Sequence, residues 1–417
     1  MSVNIGLLGL GTVGTGVAEY LLKQKEIRLK AVAVKNPKKK RVVSVNFVND
    51  PYKIINDPEI NIVVELIGGI NPAKEYILAA INNGKNVVTA NKALIAKHGK
   101  EIFDAAKKKK VSIGFEASVA GGIPIIQTLR EDLAGNDIQE ITGIINGTTN
   151  YILTRMSKDN MNYQDALKLA QEKGFAEADP YMDVSGEDAR QKLAILASFT
   201  WNTWINPESI QLEGITEITP QDIDYASNFG YAIKLLATAK KHNDKVELRV
   251  NPALIKKSHP LASVMDEFNA IFVVGDLAGP HMYYGRGAGR YPTSSAVIAD
   301  IKRISENISK GIHDEIPSLD KKIEIAKNPS NKGYIRVDLR DFPGSLASIS
   351  KILADRKINI KDSIQREKFK YESDGDTVIP DIITTGPVSD NVMKEALKEL
   401  KKCKGVCGTP FYLRIEE

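Results

Sequence analysis

The stretch GFAEADPYMDVSGEDARQK crowds five carboxylates, Glu177, Asp179, Asp183, Glu187 and Asp188, ahead of Lys192. Such carboxylates repel one another unless cations or an ammonium ligand answer them. Asp188 and Lys192 stand four residues apart, so a helix would put them on one face. A lysine held beside a carboxylate can supply a proton to a developing alkoxide, and free carboxylates suit an ammonium ligand. Two readings are open. Ser185 and Asp188 could form a capping-box-like helix start, with Asp188–Lys192 an ordinary helix ion pair. Alternatively, the segment grips a small cationic substrate and moves a proton.

What the rest of the chain offers bears on that choice. VNIGLLGLGTVGTGVAEYL places Gly9, Gly11 and Gly14 at G-x-G-x-x-G spacing between an apolar run and a helix-like stretch. In that setting Gly9 permits a tight turn, Gly11 admits a pyrophosphate, and Gly14 lets the helix pack closely. The helix N-terminus adds unpaired N–H groups and the positive end of its dipole. Leu10, Thr12 and Val13 complete the phosphate-binding turn. The next strand, RLKAVAV, ends at Lys35, where a carboxylate would bond the ribose of NAD. Lys35, with Lys38, Lys39, Lys40 and Arg41 behind it, instead favours the 2′-phosphate of NADP over NAD; a solvated basic loop is the alternative.

Alternation continues. NIVVELIGG reads as a buried strand, PAKEYILAAINNG as a helix, KNVVTANK as a strand, EIFDAAKKKK as a helix and VSIGFEASV as a strand. Residues 1–130 are therefore expected to form an α/β, doubly wound, Rossmann-like dinucleotide-binding domain. Beyond it, EITGIINGTTNYIL reads as a strand, a turn and a helix start. The Gly147–Thr149 turn offers N–H groups and hydroxyls to a small polar ligand, or merely caps the helix.

The 417 residues carry 57 Lys+Arg against 52 Asp+Glu, a net charge of +5. That excess is too small to argue for nucleic acid. No apolar run is long enough to cross a membrane, and none resembles a leader, so a soluble cytoplasmic protein is expected. Cys403 and Cys407, without a partner pair or histidine nearby, make a poor zinc site and read as plain thiols.

Residues 313–332 are polar and read as a linker with one short helix. After them come YIRVDLR, a helix opened by DFPG, then INIKDSIQRE and DTVIPDIITT as strands, NVMKEALKELKK as a helix, and FYLRIE. The order βαββαβ is ferredoxin-like. Residues 333–417 resemble an ACT domain, a module that binds amino acids where two copies pair.

From Ala170 to Lys192 the chain resembles the homoserine dehydrogenase signature: Ala, three residues, Gly-Phe-Ala, two residues, Asp-Pro, two residues, Asp-Val, one residue, Gly, one residue, Asp, three residues, Lys. GLGTVG, TANKALIA, GFEASVAGGIP, GIINGTTNYIL and GRGAGRYPTSSAV are similar to other blocks of that family, in its order, across residues 1–312. The resemblance implies interconversion of L-homoserine and L-aspartate 4-semialdehyde with NAD(P), in threonine, methionine and isoleucine biosynthesis. It implies a substrate and dimerisation domain over 131–284, with 285–312 completing the first domain. It makes Glu177 and Asp183 substrate-binding residues, Asp188 an acidic substrate-binding residue, Lys192 the proton donor and Lys92, in TANK, a second active-site lysine. It puts Gly174, Gly285 and Gly287 along the cofactor. It gives Glu116, with the carbonyls of Val119, Gly121 and Ile123, to a monovalent cation, sodium.

The chemistry suits these residue types, with the Gly147–Thr148 turn expected to take the substrate carboxylate. Two neighbouring lysines each lower the other's pKa, and Asp188 opposes that. Lys192 is taken as the donor; Lys92 is either the alternative donor or a contact to cofactor phosphates. A homodimer or larger homo-oligomer is expected, with no nucleic-acid or membrane partner. Threonine is the first candidate effector, its ammonium at Asp341 and its carboxylate at the helix start after Gly344. Two rivals remain at this level: an NAD(P)-linked enzyme acting on another hydroxy acid or semialdehyde, and a non-catalytic sensor.

Overall fold

The computed structural model describes residues 2–373 and 375–416. The first unit runs β1 (Val3–Leu8), α1 (Thr12–Leu21), β2 (Ile27–Ala33), β3 (Phe47–Val48), α2 (Tyr52–Ile55), β4 (Ile62–Glu65), α3 (Ala73–Asn82), β5 (Asn86–Thr89), α4 (Lys92–Lys109) and β6 (Ile113–Gly114). Its six strands lie in the order β3-β2-β1-β4-β5-β6, and every pairing is parallel. The strand order reverses between β1 and β4, so a crevice opens at their C-terminal ends, next to Gly9. β4 and β5 are buried along their whole length, as Val- and Ile-rich parallel strands must be.

Two boundaries differ from the sequence reading. TANK is not strand: β5 stops at Thr89, Asn91 caps the next helix, and Lys92 is the first residue of α4. The asparagine oxygen accepts from Leu94 N at 3.2 Å, which ends the strand and starts the helix. Only Ile113 and Gly114 of VSIGFEASV pair as strand, and Glu116–Ser118 form a 3₁₀ turn.

The second unit runs β7 (Ile138–Ile144), α5 (Gly147–Lys158), α6 (Tyr163–Glu172), α7 (Tyr181–Val184), α8 (Glu187–Thr200), β8 (Gln211–Leu212), α9 (Pro220–Asn228), β9 (Tyr231–His242), β10 (Lys245–Lys256), β11 (Phe268–Gly275), β12 (Gly279–Arg286) and α10 (Arg290–Lys310). Strands β12-β11-β7-β9-β10 pair antiparallel in that order. The chain then returns to the first unit. Val297, Ile301 and Ile304 of α10 share a core with Val17 and Leu21 of α1, and Ser294 Oγ donates to Val13 O at 2.9 Å.

The third unit holds β13 (Glu324–Ile325), β14 (Ser330–Arg340), α11 (Ser345–Asp355), β15 (Ile360–Gln365), β16 (Tyr371–Ser373), β17 (Asp376–Ser389), α12 (Asp390–Leu400) and β18 (Val406–Glu416). Its strand order β18-β14-β17-β15 is that of a ferredoxin-like βαββαβ sheet. β18 also pairs in parallel with β10, Ala253 facing Arg414 and Ile255 facing Glu416, so the second and third units share one continuous sheet.

Residues 313–329 contain no helix and are not a free linker. Ile316 and Leu319 are buried, Asp320 meets Lys100 at 2.7 Å, and β13 pairs with β10. Two well-placed apolar side chains anchor a segment whose average composition is polar. On the face of β14 opposite its helices, Tyr334 Oη donates to Asp222 Oδ1 at 2.8 Å and Arg336 closes on Asp222 Oδ2. Asp222 is fully buried in the capping box that starts α9.

Candidate active site

α8 begins at Glu187 after Gly186, which sits in the left-handed region at φ +85°. Ser185 therefore stands one residue before the N-cap: its Oγ accepts from Glu187 N at 3.4 Å, and the capping box with Asp188 does not form. The helix instead points Asp188 and Lys192 inward. Lys192 Nζ donates to Asp188 Oδ2 at 2.7 Å and to the carbonyl of Ile145, just past β7, at 2.8 Å. Lys92 Nζ, from the C-terminal edge of the parallel sheet, meets the other oxygen, Asp188 Oδ1, at 2.5 Å. Two ammonium groups from different units thus converge on one carboxylate whose side chain is 5% exposed.

Electrostatics follow from that convergence. Burial acts to raise the Asp188 carboxyl, but Lys192 and Lys92 outweigh it and hold it below the usual carboxylate range. Lys192 goes down: burial is the largest cause, Lys92 adds to it, and Asp188 opposes both. An ammonium with a lowered pKa gives and takes a proton more readily near neutral pH.

Asn146 joins the centre to Asp183. Its Nδ2 donates to Asp183 Oδ1 at 2.7 Å and to Asp188 Oδ2 at 2.9 Å. Asp183, on α7, is half-buried. Burial pushes its carboxyl up and the Asp188 charge adds to this, against the pull of Asn146 and Thr148. Gly147 and Thr148 open α5 beside these groups, and Thr148 Oγ1 donates to Phe175 O at 2.6 Å. Glu177 is not drawn in. It is exposed on the loop before α7, where its carbonyl accepts from Gln171.

The glycine turn lies at the other side of the crevice. Gly9 has φ +96°, and a Cβ there would sit 2.7 Å from Leu66 O. A Cβ at Gly14 would sit 2.5 Å from Gly9 O, so the helix closes tightly on the turn. Gly11 faces open space, the side from which a pyrophosphate can approach the N–H groups of Thr12, Val13 and Gly14. Leu10 is half-buried between these glycines. β2 ends at Ala33, and Lys35 is exposed just beyond it. Arg41 is less free than the basic run suggests, since its guanidinium donates to Lys39 O and Asn36 O.

Glu65, which the sequence reading passed over, is fully buried at the end of β4. It accepts from Ile67 N at 2.7 Å, Gly68 N at 3.2 Å and Thr89 Oγ1 at 2.7 Å. Thr89 Oγ1 accepts from Asn91 N, and Asn91 Nδ2 donates to Gly69 O. This chain ties the loop after β4 to the cap that positions Lys92. A carboxylate ending a buried strand was the available signal.

The loop expected to hold a cation is folded around Glu116. Its Oε1 accepts from Ile125 N at 2.6 Å and Ile126 N at 2.8 Å, and its Oε2 from Gln127 N at 2.8 Å. Burial raises this carboxyl, Asp300 adds to it, and the three N–H groups oppose the rise. Ala120 and Gly121 both have φ +54°, which turns the backbone sharply between Val119 and Ile123. Gly287 packs against this turn, Gly285 against Ile123, while Gly174 lies exposed at the end of α6. Among the described residues no three His, Cys, Asp or Glu side chains group as metal ligands, and Cys403 and Cys407 are free thiols. No helix among them is long and apolar enough to cross a membrane.

In the third unit, Asp341 is not a free acceptor, because Lys370 Nζ meets its Oδ2 at 2.8 Å. Gly344, at φ +96°, precedes α11.

Comparison with known proteins gives three family matches: homoserine dehydrogenase over residues 124–301, the homoserine dehydrogenase NAD-binding domain over 9–116, and the ACT domain over 333–403. A homoserine dehydrogenase of Pseudomonas aeruginosa is 40% identical over 433 aligned residues, covering 100% of this chain and 99% of its own. The crystal structure of one from Thiobacillus denitrificans superposes with a TM-score of 0.93 at 39% identity, covering 100% and 99%. A hyperthermophilic archaeal homoserine dehydrogenase in complex with NADPH is similar at TM-score 0.63 and 27% identity, over 74% of this chain and 98% of its own.

Proposed function

The chain belongs to the homoserine dehydrogenase family, and we propose that the Asp188 centre is where it interconverts L-homoserine and L-aspartate 4-semialdehyde. The observation that carries this is the meeting of Lys192 and Lys92 on the two oxygens of Asp188. Lys192 gives its proton to the new alkoxide oxygen when the aldehyde is reduced, and takes it back when homoserine is oxidised. Lys92 adds positive charge near the developing alkoxide. Asp188 holds both lysines and keeps Lys192 from losing its proton to burial alone. Asp183 takes the substrate's ammonium, and Glu177, on the exposed loop before α7, is the second carboxylate offered to it. The first-turn N–H groups of α5 at Gly147 and Thr148 take the α-carboxylate.

A nicotinamide cofactor, when bound, supplies or accepts the hydride. Gly9, Leu10, Gly11, Thr12, Val13 and Gly14 hold its pyrophosphate at the start of α1, and Gly174, Gly285 and Gly287 line it further along. Lys35 and the cluster behind it favour NADP over NAD. Glu116 fits a monovalent cation, sodium. Its carboxylate has one acceptor position left on Oε2 after three N–H groups. A cation there, with the Val119, Gly121 and Ile123 carbonyls, would offset the burial that raises Glu116.

The domain division follows: 1–130 with 285–312 for the cofactor, 131–284 for substrate and dimerisation, and 333–417 as a regulatory ACT domain answering an amino acid such as threonine. The enzyme serves threonine, methionine and isoleucine biosynthesis as a cytoplasmic homodimer or larger assembly. The direct test mixes the protein with homoserine and NADP, then NAD, and follows reduced nicotinamide by absorbance. Turnover with another alcohol but not homoserine would overturn the substrate; no turnover with any would overturn the catalytic assignment.

A further inference from the structure

Asn146 is the last residue before α5, beside the acidic centre and 5% exposed. Its amide orientation is fixed by its neighbours. Oδ1 accepts from Thr149 N at 2.9 Å and Thr149 Oγ1 at 2.9 Å, and a backbone N–H can only donate. Nδ2 must then face Asp183 and Asp188, and two ionised carboxylates can only accept. One side chain therefore caps a helix with its oxygen and bridges two acids with its nitrogen.

The bridge divides work between the acids. Asp188 already accepts from Lys92 on Oδ1 and from Lys192 on Oδ2, and Asn146 fills the second position on Oδ2. Asp183 has no lysine or arginine within ion-pair distance among the described residues, so it retains charge to offer. Two carboxylates sharing one amide repel, and an uncompensated one would take up a proton or swing away. Among the described residues, Asn146 is the side chain whose N–H groups reach both acids.

We infer that Asn146 is a positioning residue for the reaction: its amide bridges Asp183 and Asp188, leaving Asp188 to the two lysines and Asp183, ionised, to the substrate's ammonium. The inference rests on the reading of Asp183 as the partner of that ammonium. It separates from a capping role by chemistry, because serine and aspartate also cap helices well but have no amide N–H.

The test compares Asn146→Ser, Asn146→Asp and Asn146→Ala in the full-length enzyme. Asn146→Ser keeps a capping oxygen and is expected to melt near wild type. Its KM for homoserine should rise at least about tenfold, with the KM for cofactor unchanged. The acid limb of its kcat/KM profile should move to higher pH, because Asp183 loses a donor to its charged form. Asn146→Asp, which adds a third carboxylate, should be worse. Selectivity for homoserine over 4-hydroxybutanoate, the same alcohol without the ammonium, should fall in both variants by at least about tenfold. If Asn146→Ser and Asn146→Asp keep wild-type KM and pH profile while Asn146→Ala alone fails, Asn146 is only a cap and the inference is wrong. If the wild-type enzyme itself does not discriminate homoserine from 4-hydroxybutanoate, the ammonium reading falls instead. Should Asn146→Ser fail to fold, combining Asn146→Asp with Asp183→Asn decides. Bridging predicts that the double variant is no worse than Asp183→Asn, and multiplying defects would overturn it.

Discussion

Lys192 and Asp188 lie one turn apart on α8 and meet at 2.7 Å with the carboxylate almost wholly out of water. On a helix surface such a pair contributes about 0.3–0.5 kcal/mol. Here it sets protonation. Asp188→Asn should lower turnover by about 10²-fold, the low end for disturbing a general acid–base group. Without the carboxylate, burial and Lys92 push Lys192 further down, so the acid limb of homoserine oxidation should move to lower pH. A variant with a lower melting temperature but unchanged kinetics would return the pair to a purely structural role.

Lys35 is exposed directly after β2, clear of the phosphate turn's packing. If it meets a 2′-phosphate, Lys35→Asp should weaken NADP more than NAD, and the gap should shrink in high salt. Equal weakening of both, read from KM values, would make the basic loop mere surface.

The shared sheet alters the expectation for truncation. A free linker would let removal of everything after about residue 312 leave an active, insensitive enzyme. Instead, removing β18 and β14 would strip a strand from β10 and uncover Asp222 and Arg249. The truncated chain should lose solubility or melt well below the intact protein. A soluble, active truncation would contradict this.

Glu416 anchors the same seam to Arg249 and Lys240. Burial opposes its ionisation, yet those two cations hold it at about 2, against 4.5 ordinarily. A lowered acid pKa stabilises above the unfolded value and loses that contribution as pH falls toward the folded one. The contribution is about 3 kcal/mol, lost between pH 4.5 and 2. Glu416→Gln should therefore lower stability at pH 7 and matter little near pH 2. Equal effects at both pH values would show that the pair is not the cause.

Threonine at the ACT unit would have to displace Lys370 from Asp341. Lys370→Ala should therefore lower the threonine concentration needed for inhibition, with basal turnover unchanged. No response of the intact protein to millimolar threonine or any other amino acid would leave the unit as a structural element.

The sequence made legible what depends on local spacing. G-x-G-x-x-G, flanked by a strand and a helix, marked the tight turn between β1 and α1, and four-residue spacing put Asp188 and Lys192 on one face. It did not reveal what depends on distant partners. Asn146 drew no reading of its own because its acidic partners lie some forty residues on. Asp341 looked free because Lys370 is remote in sequence. The strap over 313–329 looked like linker because average polarity hides the anchors Ile316 and Leu319. Lys92 was assigned to a strand since apolar VVT continues into TANK, while the cap at Asn91 decides otherwise.

In the proposed reaction Lys192 moves the proton. The measurement is kcat for homoserine oxidation by Lys192→Ala, with cofactor affinity checked in the same preparation. Turnover should fall by about 10²–10⁴-fold with cofactor binding retained. Near-normal turnover in Lys192→Ala, alongside a dead Lys92→Ala, would contradict it and hand the proton to Lys92.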